Sequence, residues 1–314
     1  MTNYLKIHEV GPRDGLQNEA VNVATVDKLR LIDGLIAAGI KSLELTSFVH
    51  PKAVPQMADA DEIMSRSLAN HPNPDLHFSG LVFNEKGYER ALAAGARAIA
   101  IGASVSDTFS QANTGMSNYK SLEMARKLIR MARRDGLWVR IYISAAWVCP
   151  FEGPIRPEKT IAFAEEVWAL DVDELAMADT IGHANPLEIG LLMEELGKRF
   201  NMDKLAVHLH DTQALGLANS TAALQAGVRI HDASIGGLGG CPFAPGAAGN
   251  MATEDLVFLA YKMNYGTGVD FPALWDVVYQ VEKLIGRPIG GRIRAWWESE
   301  GKLQKEGPLQ YPTP

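Results

Sequence analysis

The sequence predicts an α/β chain folded as a (β/α)8, or TIM, barrel with a C-terminal helical extension, and three observations carry that prediction. Apolar runs of β type alternate with amphipathic helical stretches, eight runs in all. Several helical stretches stop at a glycine just ahead of the next apolar run: Gly39, Gly95, Gly136 and Gly227. That is the left-handed stop a short helix-to-strand turn calls for. No Gly-x-Gly-x-x-Gly follows the first run; Gly11-Pro12-Arg13-Asp14-Gly15 stands there instead, which argues against an open dinucleotide-binding sheet.

The candidate strands are 5–10, 42–48, 77–83, 97–105, 138–146, 174–181, 205–211 and 230–236. Helical stretches lie between them, among others at 25–38, 86–94, 122–135, 186–200 and 213–226. Strands joined in this way pair in parallel through right-handed crossovers, and a count of eight favours closure over an open sheet. Beyond about residue 265 the alternation is lost. The expected organisation is a catalytic barrel over 1–265, with a helical extension and polar tail over 266–314 packed on the barrel or following it.

Composition narrows the function classes. The 314 residues are 47% hydrophobic and 21% charged, with 37 acidic against 30 basic side chains and a net charge of −7. No basic segment is dense enough for a nucleic-acid surface, so the positive partners of an anionic ligand must be local. Two cysteines, Cys149 and Cys241, in unrelated contexts rule out a disulfide framework and a multi-cysteine zinc site. A strand-like run begins almost at the N-terminus, and no apolar run approaches the ~20 residues a membrane span needs. The expectation is a soluble, cytoplasmic protein with no membrane partner.

In a barrel of this kind, chemistry sits at the C-terminal strand ends. Those ends carry Arg13, Asp14 and Gln17 after strand one, Glu44, Thr46 and Ser47 on strand two, and Asp179-Thr180 on strand six. Strand seven carries His208-Leu209-His210-Asp211. His208 and His210, two apart on a strand, point to one face. The pair reads either as two hydrogen-bonded core histidines or as half of a metal site. Asp14 is due on a nearby strand end, and a carboxylate there favours the metal. Gln17, Ser47 and Thr180 join Arg13 as candidate substrate contacts by their strand-end positions. Leu209, Gln213, Ala214 and Leu215 are candidates for the region that sets substrate scope.

After strand eight, Gly236 to Asn250 holds six glycines and two prolines in fifteen residues. Such a segment makes no stable helix, and a connection this long in a barrel reads as a functional cover. It carries Cys241. A lone cysteine is more often an inert small hydrophobe, but a setting of glycines moves the reading towards reactivity. Cys149, behind Ala-Ala-Trp-Val, keeps the inert reading.

These segments resemble a known family. Val-Gly-Pro-Arg-Asp-Gly-Leu-Gln-Asn-Glu at 10–19 is similar to the opening of 3-hydroxy-3-methylglutaryl-CoA lyases. So are Thr-Ser-Phe-Val at 46–49, Pro-Gln-Met at 55–57, Cys-Pro-Phe-Glu-Gly at 149–153, Asp-Thr-Ile-Gly at 179–182 and His-x-His-Asp-Thr at 208–212. The longest matching stretch is Gly-Leu-Gly-Gly-Cys-Pro-Phe-Ala-Pro-Gly-Ala-Ala-Gly-Asn-Met-Ala-Thr-Glu-Asp-Leu at 237–256. The resemblance covers roughly 5–265 and leaves the last fifty residues, with Trp296-Trp297, unmatched.

The resemblance implies a magnesium or manganese ion on Asp14, His208, His210 and Asn250; ligand chemistry alone also admits zinc, iron or cobalt. It implies retro-Claisen cleavage of 3-hydroxy-3-methylglutaryl-CoA to acetyl-CoA and acetoacetate, without a nucleotide or nicotinamide cofactor. Arg13 would steady the enolate oxygen, Cys241 would protonate the product carbanion, and Glu44 would orient Arg13 and the metal shell. Asp179 or His208 would take the hydroxyl proton, and Glu254 would support the cysteine loop. Three rivals stand beside this reading: a condensing synthase of the same superfamily, a lyase for citramalyl-CoA or a longer branched 3-hydroxyacyl-CoA, and a barrel that has become a binding protein. Whether the chain forms a homo-oligomer is left open.

Overall fold

The computed structural model describes residues 3–240 and 249–303. Within them eight strands close into one barrel whose neighbours all pair in parallel. They are β1 (Lys6–Glu9), β2 (Ser42–Ser47), β3 (His77–Val82), β4 (Ala98–Ser104), β5 (Trp138–Ser144), β6 (Glu174–Asp179), β7 (Leu205–Leu209) and β8 (Ile230–Ala233). Their order round the barrel is their order in the chain, with β8 beside β1. Every expected run falls on a strand, and each strand stops a little short of its run because the last residues turn out to form the mouth.

The helices are α1 (Thr25–Ala37), α2 (Ala60–Asn70), α3 (Glu85–Ala93), α4 (Asp107–Thr114), α5 (Asn118–Asp135), α6 (Pro157–Trp168), α7 (Pro186–Gly197), α8 (Gly216–Gln225), α9 (Thr253–Lys262), α10 (Phe271–Ile285) and α11 (Arg294–Leu303). The four predicted glycine stops hold left-handed backbone, with φ of 97°, 86°, 72° and 102° at Gly39, Gly95, Gly136 and Gly227. Two helix starts differ from the reading above. α5 begins at Asn118, where the Ser117 hydroxyl caps the Lys120 amide and a polar first turn hides the apolar period. α8 begins only at Gly216, because Ala214 sits at φ 62° and the Asp211 carboxylate accepts from the Gly216 amide at 2.8 Å.

Strand alternation makes two cores. The outward faces, with Leu43, Leu45, Ile99, Ile101, Val139, Ile141, Leu175, Met177 and Val207, pack under the helices. Inside the barrel the flanking strands place small residues, Ala100 beside Arg140, and Gly102 and Ala176 on either side of Tyr142, with Ala206 beside Ala176. They leave room for the two large side chains of β5, Arg140 and Tyr142, to occupy the axis.

The C-terminal helices are not appendages. α10 packs on α1 and α9, and Phe271, Leu274, Trp275 and Val278 are buried in the main core. Trp297 of α11 stacks on Trp275 with ring centroids 5.5 Å apart. Among the described residues no helix is long and apolar enough to cross a membrane.

Candidate active site

The turn after β1 builds one wall. The Val10 carbonyl accepts from the amides of Arg13 (3.1 Å), Asp14 (2.7 Å) and Gly15 (3.2 Å), a wide turn that Pro12 enters without a donor to lose. It presents Arg13 and Asp14 to the barrel mouth. Across the mouth stand His208 of β7 and His210 just beyond it. The two share a face with Ala178, which pairs with His208 on β6. One ligand atom each from Asp14, His208 and His210 lies within 4.8 Å of the others, the one such cluster of three among the described residues.

The donor set fits a hard or borderline cation. His208 Nε2 stands 3.2 Å from His210 Nε2, about the separation of neighbouring ligands on an octahedral ion with bonds of ~2.1 Å. Asn250 pairs with His210 in an isolated bridge and donates its Nδ2 to Asp14 Oδ2 at 2.7 Å and to the Leu238 carbonyl at 3.0 Å. Its Oδ1 is buried without a partner among the described residues, as is Nδ1 of His210. An orphaned acceptor beside two imidazoles and a carboxylate is satisfied by a cation. The protonation states suit one: burial, then the neighbouring His208, lowers His210 to about 4, so it is neutral at pH 7. Burial opposes charge on Asp14, but Arg13 and both histidines hold its carboxyl below the usual range. Gly239, at φ 103°, passes so close that a Cβ there would lie 2.5 Å from Asn250 Nδ2, so only glycine fits.

Arg13 is buried and fixed on three sides. Its Nε donates to Glu44 and its Nη1 to Asp14, and its guanidinium lies 5.8 Å from the Tyr142 ring centroid. Tyr142 in turn donates to Glu44 at 3.3 Å. Burial raises the Glu44 carboxyl, while Arg13 and Arg140 pull it back. The predicted orienting role of Glu44 is therefore a direct contact to Arg13, with no contact to the cavity itself.

One cavity joins these groups. Arg13, Asp14, Gln17, His208, His210 and Thr180 line it, with Tyr142 at its floor. Gln17 Oε1 is buried there and unpartnered among the described residues. Thr180 accepts from the Ala145 amide at 2.8 Å. Of the expected catalytic and substrate-contacting residues, Glu44, Asp179 and Ser47 do not line the cavity. Asp179 pairs with Leu209 on the outer face, and its carboxylate accepts from the amides of His183 (3.1 Å) and Ala184. Burial still raises it to about 6. Ser47 is buried outside the lining. Glu254 accepts from the Gly236 amide at 3.0 Å and braces the start of the glycine-rich loop.

Cys241 lies outside the described residues; Gly240, immediately before it, lines the cavity. Cys149 is buried and its sulfur accepts from the Phe151 and Glu152 amides, in keeping with its inert reading. Leu209, Gln213, Ala214 and Leu215 do not line the cavity. Its apolar wall is Leu81, Phe83 and Phe109. Sequence reasoning missed that wall, and also Tyr142 and Asp232. For Leu81, Phe83 and Tyr142 the available signal was strand parity, an even spacing from an inward-facing position; Phe109 lies on α4, and Asp232 gains its partner only when β7 and β8 pair.

A closed parallel barrel with two histidines, a carboxylate and a buried arginine converging at its C-terminal mouth defines a metal-site (β/α)8 protein. The chain belongs to the HMGL-like family, whose sequence pattern matches residues 4–281. It is 40% identical over 282 residues to the hydroxymethylglutaryl-CoA lyase of Pseudomonas mevalonii, covering 90% of this chain and 93% of that one. It is 38% identical over 288 residues to the 3-hydroxy-3-isohexenylglutaryl-CoA/hydroxymethylglutaryl-CoA lyase of Pseudomonas aeruginosa, covering 92% and 95%. Among solved structures it superposes on an HMG-CoA lyase from Acinetobacter baumannii in complex with coenzyme A and 3-methylmalate. The TM-score there is 0.89 at 33% identity, over 99% of this chain and 98% of that one.

Proposed function

We propose that this chain is a divalent-metal-dependent carbon–carbon lyase that splits 3-hydroxy-3-methylglutaryl-CoA into acetyl-CoA and acetoacetate. One observation carries the reading: the Asp14–His208–His210 cluster opens onto the same cavity as the buried Arg13. Family membership supplies the substrate class, and the relatives named above act on thioesters of this kind.

Asp14, His208, His210 and Asn250 Oδ1 would hold magnesium or manganese, which when bound acidifies a coordinated hydroxyl and binds carboxylate oxygen. The protein's own groups do the rest. Arg13 stays cationic and immobile, so its charge meets the thioester oxygen on which negative charge grows as the C–C bond breaks, with no reorganisation at that moment. Glu44 and Tyr142 fix it. Gln17 offers an amide to the substrate from the cavity wall. Neither group considered for the hydroxyl proton is free to take it: Asp179 faces away from the cavity, and His208, with Nε2 among the ligands and Nδ1 on Asp232, keeps no spare lone pair. Cys241, one residue beyond the cavity-lining Gly240, supplies the proton that converts the acetyl-CoA carbanion to product.

The test is a panel of 3-hydroxyacyl-CoAs incubated with enzyme and metal, with products read by mass spectrometry. Acetyl-CoA plus acetoacetate from the 3-methylglutaryl substrate is expected. Cleavage of a citramalyl-CoA alone would overturn the substrate. Condensation of acetyl-CoA with a 2-keto acid, with no thioester cleaved, would overturn the reaction.

A further inference from the structure

We propose that Asp232 is a positioning residue that fixes the ring tautomer of His208, and that Arg140 dictates which way round it does so. The inference rests on reading His208 as a metal ligand, but its first test does not. His208 Nδ1 lies 3.0 Å from Asp232 Oδ2, both side chains buried inside the barrel, where β7 and β8 place the two residues in register. The other carboxylate oxygen, Oδ1, accepts from Arg140 Nη2. Arg140 is fully buried, and its Nη1 stands 3.0 Å from Glu174, which Lys6 meets at 3.2 Å from the N-terminal side. From His208 a line of side chains of alternating charge, Asp232, Arg140, Glu174 and Lys6, thus runs down the barrel axis.

The consequence is a matter of donors and acceptors. An ionised carboxylate only accepts, so the ring proton of His208 sits on Nδ1. Nε2 then carries a bare lone pair towards His210 Nε2 and Asp14, the state a metal requires. The opposite tautomer would place a hydrogen in the middle of the cluster. Asp232 does not line the cavity and meets the cluster only through His208 Nδ1, so it acts through that ring.

Arg140 makes the arrangement one-way. In Asp232→Asn, a nearly isosteric change, the amide oxygen must face Arg140, because a guanidinium cannot accept a hydrogen bond. The amide NH2 is then left facing His208 Nδ1. That nitrogen becomes the acceptor and the proton moves to Nε2, closing the ligand position.

The measurement is 15N NMR of histidine-labelled, metal-free full-length enzyme, with the His208 ring assigned by its loss in His208→Gln. In the wild type, Nδ1 is expected to be protonated and Nε2 bare; the reverse overturns the proposal whatever the metal reading. In Asp232→Asn the two nitrogens should exchange states, and Mn2+ affinity should fall roughly 10–100-fold with the fold retained. An Asn variant that keeps Nδ1 protonated overturns the role of Arg140. One that exchanges tautomer yet binds Mn2+ as tightly as wild type removes His208 from the ligand set, a failure of the functional reading and not of the tautomer lock. If the variant does not fold, the wild-type spectrum still decides.

Discussion

Asn250 gives its amide nitrogen to Asp14 at 2.7 Å and keeps its amide oxygen buried with no protein partner among the described residues. An unsatisfied buried acceptor costs about 1–3 kcal/mol, so the arrangement is explained by an occupant that accepts its lone pairs. Asn250→Ala should therefore weaken Mn2+ binding by ~10-fold or more. It should also reduce the rise in melting temperature that metal gives the wild type, since a ligand held only by the folded state stabilises it by mass action. Chelation should abolish turnover, and Mg2+ or Mn2+ should restore it. Full turnover by demonstrably metal-free enzyme would sink the metal reading.

Arg13→Met separates catalysis from metal binding. The change removes the cation expected to meet the enolate, so kcat should drop by ~10²–10³-fold, the scale seen when one charge-stabilising donor is lost. Metal affinity should hold or rise, because Asp14 loses a competing cation. Stability should suffer, since Glu44 is left buried with the Tyr142 hydroxyl as its hydrogen-bond partner and only Arg140 to offset its charge, and breaking a buried pair costs about 3–5 kcal/mol. Arg13→Lys should not rescue turnover, because one ammonium cannot span Glu44 and Asp14 in the forked geometry of a guanidinium. Steady-state kinetics beside a Mn2+ titration and a urea melt check all three. A Met variant that loses metal in step with activity would recast Arg13 as a site organiser.

Cys241→Ser should cut turnover by ~10²-fold or more while leaving metal affinity and melting temperature near wild type, as loss of a positioned proton donor does. Alkylation offers an independent check, because the other thiol, Cys149, is 1% exposed and slow to react. One fast-reacting thiol, protected by substrate, is expected. A serine variant at the native rate would leave Cys241 without a chemical role.

Much of this fold was legible because strand alternation wrote it twice. Outward positions read as apolar runs, and inward positions read as small or polar residues at period two. His208 and His210 were found from that period, and Asp14 and Arg13 from their place just past the end of the first strand. Asp179 shows what period alone does not give. It ends an apolar run like its neighbours, yet its face is set by the pairing of Ala178 with His208, which only the folded register supplies. Asp232 was hidden for the same reason: an acid inside Ile-His-Asp-Ala has no visible partner until β7 and β8 lie side by side. The helical extension past residue 265 was visible, but its docking of Trp275 into the barrel's own core was not, since local sequence says nothing about which distant helix it covers.

Glu254 makes stability depend on pH in a direction that can be worked out. It is fully buried, with Oε2 on the Gly236 amide and Oε1 unpartnered among the described residues. Burial, then the neighbouring Asp255, raises its carboxyl from 4.5 to about 8 despite the backbone bonds. The folded protein therefore keeps a proton that the unfolded chain releases at ordinary carboxylate pH. Between those two values the folded state binds more protons, so stability falls as pH rises through the window and is unaffected by this group below it. Glu9, raised by burial to about 7, adds a slope of the same sign over the lower part. Glu254→Gln removes the titration and keeps an oxygen for the Gly236 amide. Denaturant melts at a series of pH values should show the variant gaining on wild type as pH climbs towards 8, with the gap closing on the acid side. Parallel curves would mean that the carboxyl is solvated or paired in solution. A stabilised variant with slower turnover and unchanged Mn2+ affinity would place the effect of Glu254 on the loop it braces, the segment that leads from Gly236 to Cys241.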